Sequence, residues 1–168
     1  MPVYNEEEDV LVRSVDSVIE SVYPQERKHL FVSFDDNKRG SLFHSLIKHL
    51  CERGSDFSEE YELKKMNISS VQCDQQPVTI SVTVEGMRVT VSTFVHAGKR
   101  LTQSQTYNLI RDAYAGMGAN AYVLSMDSDV YLDPDCIQNV IDDCTKQGRD
   151  VLGLARLGSS PVLNPRED

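Results

Sequence analysis

The 168-residue chain has no tryptophan, few basic residues and no long apolar run, and each shortage excludes something. Seventeen lysines and arginines face 26 aspartates and glutamates, for a formal net charge of -9. A nucleic-acid coat needs clustered cations, so that class is excluded. A small phosphorylated ligand is not, because a divalent cation held by carboxylates reverses the local sign. The longest apolar stretch, Val151 to Ala155, is far too short to span a bilayer, and the N-terminus lacks the apolar core of a signal peptide. Cys51, Cys73, Cys136 and Cys144 are scattered, with no CxxC and no histidine at ligand spacing. Neither a structural zinc site nor a disulfide scaffold is expected from them; reduced thiols in a cytosolic setting are. Asn67-Ile68-Ser69 matches the glycosylation pattern, which carries little weight without a secretion signal.

What is present suffices for a folded domain. Hydrophobic residues make up 40% and charged residues 26%, enough to bury a core at this length. Met1 to Tyr4 reads as the tail of a strand. The acidic run Asn5 to Asp9 leads into an apolar stripe, Val10, Leu11, Val15, Val18, Ile19 and Val22, which predicts a helix closed by Pro24. His29 to Asp35 reads as a strand ending in Asp35-Asp36-Asn37. Leu42, Phe43, Leu46, Ile47 and Leu50 recur at helical spacing and stop before Gly54. The region 54–77 is polar and charged, an inserted or mobile segment by its length. Across 78–95, Val78, Ile80, Val82 and Val84 alternate with hydroxyl residues, and Met87, Val89 and Val91 continue after Glu85-Gly86. A two-residue turn there pairs Val84 with Met87, Val82 with Val89 and Ile80 with Val91, a hairpin with one face buried.

Leu101 to Ala115 reads as a helix ended by Gly116 and Gly118, and Ala121 to Met126 as a short strand delivering Asp127-Ser128-Asp129. Asp133 and Pro134 form a helix start, as N-cap and first residue, with Ile137, Val140, Ile141 and Cys144 as the buried face. Val151 to Ala155 closes the series as a last strand. The alternation predicts an α/β fold, a Rossmann-like domain with a mostly parallel sheet and an inserted β-hairpin, as one domain over 1–168.

In such sheets ligands sit beyond the carboxyl ends of the strands. Tyr4 to Glu6, Asp35-Asp36, His96 to Arg100 and Asp127 to Asp129 all fall there. Two carboxylates one residue apart suit Mg²⁺ or Mn²⁺, hard cations that keep positions for substrate phosphates. An EF-hand through Asp127, Asp129, Asp133 and Asp135 fails, because Leu132 replaces the glycine and Gln138 the bidentate glutamate. Gly98-Lys99-Arg100 lets a phosphate approach the backbone at a helix start. Tyr4 beside Asn5-Glu6 offers a ring for a nucleobase. His29, His44, His49 and His96 are too dispersed for a catalytic array, and His44 and His49 read as helix-surface residues.

In order, Pro2-Val3-Tyr4-Asn5-Glu6, Asp35, Gly98-Lys99-Arg100 with Gln103, and Met126-Asp127-Ser128-Asp129 resemble the family-2 inverting glycosyltransferases, and the chitin synthases most closely. The resemblance implies a glycosyltransferase A-type domain binding a UDP-sugar, with N-acetylglucosamine as the expected sugar and a growing polysaccharide as acceptor. By position, it puts Tyr4 and Glu6 against uracil, Asp35 on the uridine, and Lys99, with Arg100 and Gln103, on the diphosphate or sugar. Asp129 would hold the metal, and Asp127 the metal, the sugar or Lys99; Asp127 and Lys99 are the catalytic candidates. The family's acceptor-side base, its QxxRW motif and its membrane helices have no match here. The chain is therefore expected to be a donor-binding part of a larger synthase. That synthase would work at the cytosolic face of a plasma or Golgi-derived membrane, this part being itself soluble. A non-catalytic nucleotide-sugar-binding or regulatory role is the alternative.

Overall fold

The computed structural model describes residues 1–36, 40–54, 78–115 and 122–146. The expected last strand at 151–155, the glycines after the third long helix and most of the 54–77 segment lie outside them. Strand β1 (Pro2–Val3) leads to helix α1 (Glu8–Ile19), strand β2 (His29–Phe34) and helix α2 (Ser41–Arg53). Strands β3 (Thr79–Val84) and β4 (Met87–Thr93) form the hairpin, and helices α3 (Lys99–Ala113) and α4 (Cys136–Lys146) follow. The sheet runs β1-β2-β4-β3, with β1, β2 and β4 parallel and β3 antiparallel at the edge. This is the α/β, mostly parallel arrangement expected from the alternation of patterns.

The hairpin register is the anticipated one: Val84 faces Met87, Val82 faces Val89 and Ile80 faces Val91. Glu85 and Gly86 make the turn at φ 51° and 87°, the left-handed pair whose twist suits two antiparallel strands. Because side chains alternate along a strand, Leu30, Val32 and Phe34 join those valines on one face. That face packs on α1 through Leu11, Val15, Val18 and Ile19, and on α2 through Phe43, Leu46, Ile47 and Leu50. The other face is rich in hydroxyls. There Thr106 of α3 donates to Ser33, and Ser81 and Thr79 hydrogen-bond Thr90 and Ser92 across the hairpin.

Four expectations need correction. Residues 122–126 form no strand, and Tyr122, Val123 and Leu124 are exposed; β1, two residues long and carrying Pro2 without an N–H, gives a strand little to pair with. Helix α4 starts at Cys136, not at Pro134. Asp133 and Pro134 instead form a turn in which the Cys136 N–H donates to the Asp133 carbonyl, and the helix has no fully buried residue. Val22, placed on the α1 stripe by spacing, lies beyond the helix end and is 65% exposed. His49 is also not a free surface group, since its Nε2 lies 2.8 Å from Asp16 on α1.

Candidate functional site

The parallel strands β1, β2 and β4 point their carboxyl ends at one place, and the turn after each supplies polar groups. After β2 comes Asp35, 3% exposed. Its Oδ1 accepts the backbone N–H groups of Ala97, at 3.0 Å, and Gly98, at 3.3 Å. Two backbone donors satisfy the buried charge and fix the turn between β4 and α3. Gly98 takes φ +92° to make this approach, and its carbonyl accepts from Leu101 and Thr102 in the first turn of α3. His96 completes the Asp35 environment. Its Nδ1 lies 3.1 Å from the Asp35 carbonyl and 3.2 Å from Oδ2, and its ring stacks on Tyr4 at 5.0 Å between centroids.

After β1 the chain turns at Asn5, with φ 55°, a conformation asparagine tolerates better than most residues. The turn directs Glu6 toward the Asp127–Asp129 loop, where the Ser128 hydroxyl donates to Glu6 Oε1 at 2.9 Å. From there every second residue is tied back to the first part of the chain. The Val130 carbonyl accepts from Ser14, the Leu132 N–H donates to Ser17, and the Pro134 carbonyl accepts from the Val22 N–H. Met126 and Leu132 are buried at either side of the loop. The loop is thus held by a strap along α1 rather than by a strand ladder.

Pro2, Val3, Tyr4, Glu6, Asp35, Lys99, Asp127, Ser128 and Asp129 line one open cleft of about 160 Å³. Tyr4, Glu6, Asp35, Lys99, Asp127 and Asp129, singled out from four separate stretches of sequence, are therefore brought together. Arg100 and Gln103, on the first turns of α3, do not line it. Lys99 Nζ reaches Asp127 Oδ1 at 2.6 Å, both side chains being about half exposed. The Asp129 carboxylate has no hydrogen-bond or ion-pair partner among the described residues. No group of three or more His, Cys, Asp or Glu among the described residues could hold a metal ion. One free carboxylate beside a second is nevertheless the donor set that Mg²⁺ or Mn²⁺ uses when substrate phosphates complete its shell. Spacing missed Ser14 and Ser17, legible only as polar positions beside an apolar stripe. Ser128 and His96 fall within the clusters expected at the strand ends, but sequence assigned neither a role.

The chain is 36% identical over 146 residues to "Chitin synthase 7" of Verticillium dahliae, covering 85% of this chain and 18% of that protein. The sequence is chitin-synthase-like. "Chitin synthase G" of Aspergillus niger is 37% identical over 85% of this chain and 17% of its own length. "Chitin synthase VI" of Metarhizium acridum is 36% identical over 85% of this chain and 20% of its own length. The chain thus spans about a fifth of the chitin synthases it matches. No family model matches it, and no solved structure does. No helix among the described residues is long and apolar enough to cross a membrane.

Proposed function

We propose that this chain forms the donor and metal site of a sugar transferase, passing N-acetylglucosamine from a UDP-sugar to a growing chitin-like polysaccharide with inversion. One observation carries the reading: Tyr4 and Glu6, Asp35, Lys99, and Asp127 with Asp129, distant in sequence, meet at one cleft beyond the strand ends. The chitin-synthase relatives supply the reaction class.

In this reading Tyr4 and Asp35 face the base, and Asp129, with Asp127, holds Mg²⁺ or Mn²⁺. A bound metal would neutralise the charge that develops on the diphosphate leaving group. Lys99 adds a cation at the same place, and Asp127 fixes its position. Arg100 and Gln103 act from the rim of α3. In a complete synthase the work would be done at the cytosolic face of a membrane.

The test is calorimetry of the 168-residue chain with UDP and Mn²⁺. Metal-dependent binding is expected, weakened at least about tenfold in Asp129→Ala, the loss of one charge-assisted ligand. Metal-independent binding, or full affinity in the variant, would sink the assignment. A second reading, a nucleotide-sugar-binding domain that does not catalyse transfer, is favoured by one observation. Glu6, Asp35 and Asp127 are each engaged within the protein, so three of the four cleft carboxylates are not free to act as a base. Transfer from UDP-sugar by the chain alone would argue against it.

A further inference from the structure

In the free protein His96 already holds the two contacts that a bound base would need. Its ring stacks on Tyr4 with planes 20° apart, and 5.0 Å between centroids leaves no space for a third ring. A ring inserted between them would need about 7 Å, two van der Waals contacts. Its Nδ1 faces only acceptors, the Asp35 carbonyl and Oδ2, so Nδ1 carries the proton and donates it. Oδ1 of the same carboxylate is occupied by the Ala97 and Gly98 N–H groups. Oδ2 is thus the carboxylate oxygen that a ligand can claim, and His96 sits on it. The imidazole side chain is 56% exposed, so it can leave without unpacking the core.

We propose that His96 is an internal competitor for the base slot. Its imidazole stands in for a planar heterocycle that presents an N–H at its edge, and binding such a heterocycle displaces it. The inference rests on the nucleotide reading above and adds the residue that sets affinity. The exchange keeps a donor on Oδ2. His96 Nδ1–H leaves the Asp35 carbonyl, which turns to water, and vacates Oδ2, where a ring N–H, such as N3–H of uracil, takes its place. Cytosine presents an acceptor at that position, which would leave Oδ2 facing a lone pair. The stack is exchanged in the same way, ring for ring, on Tyr4.

Calorimetry with UDP and CDP, in Mn²⁺, on the wild-type chain and on His96→Ala tests this. The variant is expected to bind UDP about fivefold more tightly, the return of one hydrogen bond and one stack, because the competent state no longer has to be opened. Both proteins are expected to prefer UDP to CDP by about tenfold, since Asp35 reads the edge in each. UDP affinity equal to or weaker than wild type in the variant overturns the proposal, as does indifference between UDP and CDP. Failure of both proteins to bind UDP removes the nucleotide reading itself, and the proposal with it. Binding by the variant alone supports it strongly. A second readout does not depend on the variant's fold. The His96 Cε1–H resonance of the wild type should shift on UDP addition, as the ring leaves Tyr4, and a resonance unmoved at saturation overturns the displacement.

Discussion

At position 98 the backbone has φ +92°, where an L side chain is strained, and nothing lies within 4 Å of the place a Cβ would occupy. A substitution there therefore meets no clash and carries a conformational penalty alone. Gly98→Ala is expected to lower stability by about 1–2 kcal/mol, read as a lower urea midpoint with unchanged slope. An unchanged midpoint would show that the turn relaxes freely. The Gly98 N–H that Asp35 accepts lies in the strained residue, so the same change should loosen the β4–α3 turn. Sequence alone exposed glycine as a break and Lys99 as a cation. It did not expose the buried Asp35 as the anchor of that break, because a carboxylate 62 residues away leaves no local pattern. The pairing of Lys99 with Asp127 was one of several partners the motifs allowed, and only proximity selects it.

Helix α1 illustrates the same limit one level up. Its acidic first turn, Glu8 and Asp9, suits the positive end of the helix dipole, and both its position and its apolar stripe were legible. Its other end has no basic residue in the last turn. A cation arrives from outside instead: Lys28, 8% exposed, donates to the carbonyls of Val18, Ile19 and Ser21 and to the Ser21 hydroxyl. Lys28→Met keeps most of the stem but strands those acceptors, and should lower stability by about 1–3 kcal/mol. A loss below the error of chemical denaturation would mean that water replaces the ammonium. Hairpin register was read correctly because alternation and turn length are both local. The 122–126 strand was misread because apolar composition fits a buried strand, whereas pairing depends on the neighbouring edge. For α4, Ile137, Val140, Ile141 and Cys144 share a face as periodicity requires, but spacing does not say how deeply it is covered.

For the whole molecule, acid stability has a source on the hydroxyl-rich side of the sheet. His29 is hydrogen-bonded through Nδ1 to Tyr114 and through Nε2 to Thr90, and it lies against Phe31. Burial, aided by the charge of Arg88, lowers its pKa from 6.5 to about 4. Between those values the unfolded chain takes up a proton that the folded chain refuses, so stability falls as pH drops from 6.5 toward 4. His29→Gln keeps hydrogen-bonding capacity without a titrating group. Its urea midpoint should fall less between pH 7 and pH 5 than that of the wild type, and equal falls would assign the acid sensitivity to the carboxylates. The sheet also carries a time order. The hairpin joins residues at most 15 apart, the side-chain bond from His29 to Thr90 across the parallel strands spans 61, and the cleft joins Glu6 to Ser128 across 122. Loop closure grows costlier with separation, so the hairpin is expected to form early and the strap along α1 to close last. Contacts made after the folding barrier govern how fast a protein comes apart rather than how fast it assembles. A ligand lodged between Glu6, Lys99 and Asp129, as proposed, would therefore act as a brake on unfolding, lengthening the lifetime of the folded chain while leaving the speed of its assembly nearly untouched.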